Sequence, residues 1–396
     1  MVVKKVNALT KRWLAAAGAD PGSPPRSTVL SGAGVWPLLA FLADGADDAG
    51  RAELAAAIGV PAQEAAAAAR AILTKVERSD AVRVALGLWT RRQVRVREAW
   101  LAELASGVHG ELTGDVPADQ RRLDVWASEH TDGLIPRMPV KITDASMMVL
   151  ASALVVEVTW RERFTAGRLK AGGVWADARG ELSGLRLTTT DQRMLRVADT
   201  AIGRVSALTV VGDGDVDVVL VLGPQERSAA EVMAVGVELA GVTDANPIRS
   251  VVFGPDLPAD IAAPGVSTDT VTSPWPADQL AITTVPFRVE AHHDLLDHAA
   301  LFGLSHVTTQ EPGHFPGISD FPLAVDRAAQ DAVAEFTATG FHAAAVTAFG
   351  LFGMATPPPP SRVRRVSVVF NRPFAYYAVH RPSGLILVAG WVSEPS

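Results

Sequence analysis

The chain has 396 residues, 48% hydrophobic and 20% charged, with a formal net charge of −7 and no cysteine. That balance is ordinary for a globular protein with a large core and offers no basic excess for nucleic acid or an anionic membrane. Without cysteine, disulfides, thiolate metal sites and a cysteine nucleophile are excluded.

Length alone allows two or three domains. The N-terminal Met-Val-Val-Lys-Lys runs into Val6, Leu9, Trp13 and Leu14, one apolar helix face rather than the unbroken apolar core of a signal peptide. No run is long and apolar enough to span a bilayer, so by sequence the protein reads as cytoplasmic. Ser27 to Ser31 reads as a short strand, followed by a buried helix over 35–43 that Gly45 ends. Helices are expected over Arg51–Ile58, Gln63–Val76, Glu98–Val108 and 118–131. Strands are expected over Ala81–Thr90 and 111–116. The apolar run Met147–Trp160 is rich in valine and long enough for a central strand.

Residues 174–221 read as strands and turns, with Val216–Leu222 a buried strand. Ser228–Leu239 is helical, and Ser250–Phe253 and Thr283–Glu290 are strands. Asp294 can cap a helix over Leu295–Phe302 that stops at Gly303. Asp331–Thr337 is the strand that enters a long loop at 340–361. After it come strands Val366–Phe370, Ala375–Arg381 and Leu385–Val392. Helices come early and strands dominate late, which indicates an α+β fold. Without internal repeats or a dividing linker, 1–396 reads as one domain.

The loop is the unusual feature. It runs Gly-Phe-His-Ala-Ala-Ala-Val-Thr-Ala-Phe-Gly-Leu-Phe-Gly-Met-Ala-Thr and then four prolines. Its first half is small, apolar and compatible with a strand. The prolines cannot sit in a central strand because they lack the ladder's N–H donors. Unstructured loops of more than about 12–15 residues are usually functional or disordered.

The C-terminal Phe370-Asn-Arg-Pro-Phe, then Ala-Tyr-Tyr-Ala-Val-His-Arg-Pro-Ser-Gly and a last strand ending Gly390-Trp-Val, resembles the signature of the serpins. Other motifs follow the family in order. Trp126-Ala-Ser-Glu-His-Thr-Asp-Gly-Leu-Ile resembles its Trp-Val-x-x-x-Thr-x-Gly-x-Ile helix. Leu150-Ala-Ser-Ala-Leu, with Trp160 and Phe164, resembles its central strand and following Trp-x-x-x-Phe. Phe315-Pro-Gly-Ile-Ser resembles Phe-Ser-Gly-Ile/Met-Ser. The chain is thus identified as a member of the serpin family, and read as a prokaryotic one.

The resemblance implies a serpin fold: three β-sheets, eight or nine helices and a long exposed reactive-centre loop. It implies a monomeric suicide inhibitor of serine proteases, not an enzyme, with an extracellular setting. The loop is cleaved as bait, and its N-terminal part then inserts as a strand of the main sheet and traps the acyl-enzyme. The implied hinge is Gly340, Phe341, His342, Ala343, Ala344, Ala345, Val346 and Thr347. On insertion Phe341, Ala343, Ala345 and Thr347 share one face, and His342, Ala344 and Val346 the other.

Spacing from the hinge puts the reactive bond at Met354-Ala355. Counting back from Phe370 points instead to Arg362 or the prolines. The hinge count is preferred because insertion length is set from that side; Leu351 and Phe352 are alternatives. An apolar residue there suits chymotrypsin-, elastase- or subtilisin-like proteases. Ser31, Ser152, Trp160 and Gln330 fall in the region where the sheet opens. Gly32, Ser152 and Gln330 replace the family's usual Pro, Asn and His, and Phe341 and His342 replace Thr/Ser and Glu. The ring of Phe341 is expected to enter the sheet first and slow it. The alternative is a non-inhibitory serpin, a binding or structural protein whose loop is a plain substrate.

Other groups read more blandly. His292-His293-Asp294 with Asp297 and His298 has metal-like spacing, but a helix N-terminus with solvated histidines is favoured, and no metal or other cofactor is expected. Asp213–Asp217 reads as a turn between strands. The basic runs 91–97 and 362–365 read as strands with one solvated face. Neither a Gly-x-Ser-x-Gly nor a Ser/His/Asp set stands out.

Overall fold

The computed structural model describes residues 2–18, 25–133, 135–138, 140–178, 180–244, 248–309, 313–341 and 360–395. The chain opens with α1 Val2–Ala17, β1 Thr28–Leu30, α2 Gly32–Ala43, α3 Asp48–Ile58 and α4 Ala62–Val76. Then come β2 Val82–Arg91, α5 Glu98–Leu101, β3 His109–Leu112, α6 Val116–His130, β4 Met148–Val156 and β5 Val158–Thr159. The middle holds β6 Thr165–Lys170, α7 Val174–Ala178, β7 Glu181–Thr189, β8 Leu195–Thr200, β9 Gly203–Val211, β10 Val216–Leu222, α8 Ala229–Ala240 and β11 Ser250–Phe253. The last part holds β12 Val266–Ser273, β13 Gln279–Thr284, β14 Phe287–Asp294, α9 Ala299–Phe302, β15 Arg327–Phe336, β16 Gly340–Phe341, β17 Ser361–Val369, β18 Phe374–His380 and β19 Leu385–Val392.

Among the described residues the strands make three sheets. One has seven strands in the order β1-β19-β18-β10-β9-β8-β11, and one has five in the order β12-β17-β13-β7-β6. The third runs β3-β2-β4-β15-β16-β5, with β14 also on β15. Strands β10, β18 and β19 are buried along their whole length, which is why they read as unbroken apolar runs. Helix α2 is likewise buried all round, and Ser31 caps it by accepting from the Gly34 N–H. At α8 the Ser228 and Glu231 side chains close a capping box.

Several sequence expectations shift. The helix expected over Glu98–Val108 stops at Leu101, and the chain turns through Gly107 at φ +78° into β3, which pairs in parallel with β2. The single strand expected over Thr283–Glu290 is two strands in different sheets. Pro286 between them lacks the N–H that would continue a ladder. The helix after Asp294 begins as a 3-10 turn over Leu295–His298, with Asp294 capping it as expected and Gly303 closing it at φ +69°. Of the basic run 91–97 only Arg91 lies on a strand; the run 362–365 lies on β17.

Candidate functional site

The core-facing side chains of β15 are Ala328, Gln330, Ala332, Ala334 and Phe336, all buried, while Asp331, Val333 and Glu335 on the other face are partly exposed. Strand β15 runs parallel to β4, but their ladder covers only Arg327–Gln330 against Val149–Ser152. Beyond Gln330, no direct pairing of β15 with β4 occurs among the described residues. The chain instead doubles back after Phe336. The Thr337 N–H donates to Gly340 O at 2.9 Å, and the Gly340 N–H donates to Thr337 Oγ1 at 3.2 Å. Trp160 clasps this turn: its ring N–H donates to Thr337 O at 3.0 Å and its backbone N–H to Thr339 O at 3.0 Å. The Phe164 N–H donates to Ala338 O at 2.9 Å.

Gly340 and Phe341 then form β16. It is antiparallel to β15 on one side, with Phe336 opposite Phe341. It is antiparallel to β5 on the other, with Gly340 opposite Thr159 and Phe341 opposite Val158. The first two hinge residues therefore already lie in the sheet between two strands. The Phe341 ring is fully buried and lies 6.4 Å from the Tyr376 ring. Tyr376 packs on Phe287, and Phe287 stacks on Phe336, which also meets Trp160 and Phe164. Phe341, the residue expected to enter the sheet first, thus lies in the sheet of the intact chain. Its large apolar surface is already out of water in an aromatic cluster.

Ser31, Ser152 and Gln330 come together where the β4–β15 ladder closes. Gln330 Oε1 accepts from the Ser31 N–H at 2.7 Å. Its Nε2 donates to Ser31 O and to Ser152 Oγ, each at 3.1 Å. Ser31 Oγ donates to Leu387 O at 2.6 Å, tying the knot to β19. All three side chains are buried. Trp160, grouped with them by sequence, sits at the other end of the opening, on the Thr337 turn. Gly32 also finds its reason: a Cβ there would lie 2.2 Å from Thr10 Oγ1, so a proline has no room. Gln330→Leu leaves the Ser31 N–H and Ser152 Oγ unpaired in the core. We expect it to lower unfolding free energy by about 2–4 kcal/mol, at roughly 1–3 kcal/mol per orphaned group, measurable by urea denaturation.

The remaining hinge residues His342, Ala343, Ala344, Ala345, Val346 and Thr347, and the reactive-bond pair Met354 and Ala355, lie outside the described residues.

The His292–His298 group does not converge. His292 and His293 lie on β14, so alternation sends them to opposite faces. His292 Nδ1 meets Asp331 Oδ1 at 2.6 Å. His293 donates from Nε2 to Val29 O at 2.9 Å and packs edge-on to Trp13. Asp294 is spent on the Leu296 N–H. Burial holds the His293 imidazole below the ordinary histidine range. The unfolded chain then takes up a proton that the folded chain refuses. Stability is full above the usual histidine pKa of about 6.5 and falls as pH drops toward the lower folded value. His293→Gln, which can still donate to Val29 O, is expected to flatten that acid limb in denaturation series between neutral and mildly acid pH.

A Ser/His/Asp line does occur at the β18–β19 turn, from residues far apart in sequence. Ser383 Oγ lies 2.7 Å from His380 Nδ1, and His380 Nε2 lies 3.2 Å from Asp215 Oδ2. The N–H groups of Ser383 and Gly384 both donate to His380 O, and the Leu385 N–H donates to Ser383 Oγ. With those N–H groups spent on the turn, nothing here is aimed at a developing oxyanion, and the line serves to lock the turn.

The fold and the motifs define the class. The family model described as "Serpin (serine protease inhibitor)" matches residues 15–181 and 272–395, well over half of the chain, and the chain belongs to that family. A sequence comparison with curated proteins finds no match. Among solved structures the chain is similar to a thyroxine-binding globulin in complex with thyroxine, at 14% identity, covering 100% of this chain and 99% of that one with a TM-score of 0.72. It is similar to a highly specific serpin of the insect Tenebrio molitor at 15% identity, covering 100% and 98%, TM-score 0.71. It is also similar to a serpin of the trematode Schistosoma haematobium at 14% identity, covering 99% and 100%, TM-score 0.71. At such identities the likeness shows the serpin fold, α+β with nine α-helices and three sheets among the described residues. The comparisons give no support to a prokaryotic origin. Among the described residues no helix is long and apolar enough to cross a membrane.

Proposed function

We propose that the chain is a single-domain, monomeric suicide inhibitor of serine proteases, with residues 340–361 as bait and Met354-Ala355 as the reactive bond. After cleavage the segment from His342 onward extends β16 down between β15 and β4. The observation that carries this reading is β16 itself, a two-residue strand antiparallel to both neighbours, above the point where β15–β4 pairing ends among the described residues.

Continuing its register sets His342 against Glu335 and Glu157, Ala343 against Ala334 and Val156, and Ala345 against Ala332 and Leu154. Small side chains on the core face let the strand enter without overpacking. Thr347 would come level with Gln330 and Ser152, so further entry requires the Gln330–Ser152 bond to yield. Ser31, Ser152 and Gln330 act in this reading as the latch, and Trp160 as the clasp that fixes the hinge turn. An apolar residue at 354 favours a chymotrypsin-, elastase- or subtilisin-like target.

The test is to mix the purified chain with subtilisin, chymotrypsin, elastase and trypsin and run denaturing gels. An SDS-stable band at the combined mass, with the cut at Met354-Ala355, is the expected result. Clean cleavage without that band, for every protease, would sink the reading for this panel.

A non-inhibitory binding protein is the second reading. The burial of Phe341 favours it, because an anchored hinge gains less from further insertion. So does a cleft of about 1030 Å³ that includes Trp175, Ser228, Arg372 and Trp391 in its lining, large enough for a small molecule. A relative of the same fold carries thyroxine.

A further inference from the structure

Three residues that lie far apart in the sequence meet at the N-terminus of α3. Asp47 caps that helix, its Oδ1 accepting from the Gly50 N–H at 2.8 Å. Its Oδ2 faces two imidazoles. His306 Nε2 is 2.9 Å away and His314 Nδ1 is 3.3 Å away. The three potential ligand atoms all lie within 4.8 Å of one another. Tetrahedral bonds of 2.0–2.2 Å to nitrogen and oxygen imply ligand separations of about 3.3 Å, so little movement is needed to close this set on one ion.

The outer contacts hold the ligands in position. His314 is buried, with 5% of its side chain exposed, and its Nε2 is bonded to Thr309 Oγ1 at 2.8 Å, which leaves Nδ1 turned toward the cluster. The Asp47 backbone N–H donates to His314 O at 2.8 Å, clamping the two residues together. The His306 backbone N–H donates to Glu53 Oε2 at 3.0 Å. A ligand imidazole bonded through its other nitrogen and a ligand carboxylate bonded through its other oxygen are the usual supports of a protein metal site. The Asp47 and His306 side chains are about a third exposed, at 30% and 32%, so an ion can enter and water can complete its shell. The positive end of α3 opposes a cation, but Asp47 at the cap and Asp48 in the first turn put two carboxylates there, and Glu53 adds a third from the next turn, bonded to the His306 backbone.

We propose that Asp47, His306 and His314 bind a divalent first-row transition ion, zinc being the type case for two imidazoles and a carboxylate with open positions. The site joins α3 to a segment woven into the residues ahead of β15. The His314 N–H donates to Leu323 O and the Val325 N–H to Val307 O. Bound metal therefore braces the native fold at the base of β15.

The test uses the full chain without a histidine tag. Calorimetric titration with zinc is expected to find one ion per chain and a raised melting temperature, and cobalt(II) should give visible absorption of a low-coordinate site. His306→Gln removes a ligand that is about a third exposed. Asp47→Asn keeps the helix cap and loses the anionic oxygen. Each should weaken zinc by about tenfold or more, and Thr309→Val, which only frees the His314 ring, by about 10–100-fold. Melting curves without metal verify that each variant is folded. Absence of zinc binding up to millimolar concentration would overturn the proposal. So would unchanged zinc binding in folded His306→Gln and Asp47→Asn.

Discussion

Cleavage of the loop at Met354-Ala355 is expected to raise the melting temperature by roughly 10–20 °C. The estimate follows from the ladder. Among the described residues β15 and β4 do not pair with each other above Gln330, so an entering strand can bond to both, and an extension reaching past Thr347 gains about ten ladder bonds at about 1 kcal/mol each. For a chain of this length each kcal/mol moves the midpoint by about 1–2 °C. The loss of the Gln330 contacts to Ser152 and Ser31 offsets part of the gain. The measurement is a melting curve before and after limited proteolysis, with the cut mapped by mass. A midpoint that does not move after a verified cut would show that the loop stays out. The non-inhibitory reading would then stand, and the cleft beside Trp175 and Trp391 would become the place to look for a ligand.

Phe341 bears on both readings. A small polar residue at that position would leave the hinge weakly held. Here a buried ring beside Tyr376 holds the start of the segment in the sheet, which in the inhibitor reading is the first step of insertion made in advance. The remaining barrier lies lower down, where four residues of β15 are still bonded to four of β4 and Gln330 spans to Ser31. In the inhibitor reading the driving force for further entry therefore has to come from residues beyond 341, and the resistance from the contacts of Gln330 with Ser31 and Ser152.

Most of the architecture is legible in the pattern of apolar residues, because the buried strands are unbroken runs and the helices carry caps such as Ser31, Asp47 and Ser228. What fails is local. Ala102 to Ala105 have helical propensity, but tertiary packing and Gly107 turn them toward β3. Val285-Pro286 looks like the middle of a strand and is the junction between two sheets. Residues of the opening region are visible only through resemblance, since nothing in the spacing of Ser31, Ser152 and Gln330 brings them together. The metal-like spacing at His292–His298 misleads, because a strand splits adjacent residues between its faces. The group that does converge joins Asp47 to histidines 259 and 267 positions away, beyond the reach of any local motif.

Ala343→Arg is expected to abolish the SDS-stable complex while leaving the bait as cleavable as before, turning the chain from inhibitor into substrate. Position 343 shares the face of Phe341, two residues on, and in the continued register lies between Ala334 and Val156. Both are buried, at 0% and 1% exposure. A guanidinium there enters an apolar slot with no carboxylate on its face, and an uncompensated buried charge costs several kcal/mol. Insertion slows, and hydrolysis of the acyl-enzyme wins. His342→Arg is the matching control. Position 342 faces the other way, level with Glu335 and Glu157, both partly exposed and each already paired with an arginine, Arg288 and Arg83, so the same charge stays in reach of water on a face of mixed charge and the complex should persist. Complex yield on denaturing gels, with the number of bait molecules cleaved per protease inactivated, separates the two variants. Loss of complex in both, or in neither, would contradict the register that β16 sets.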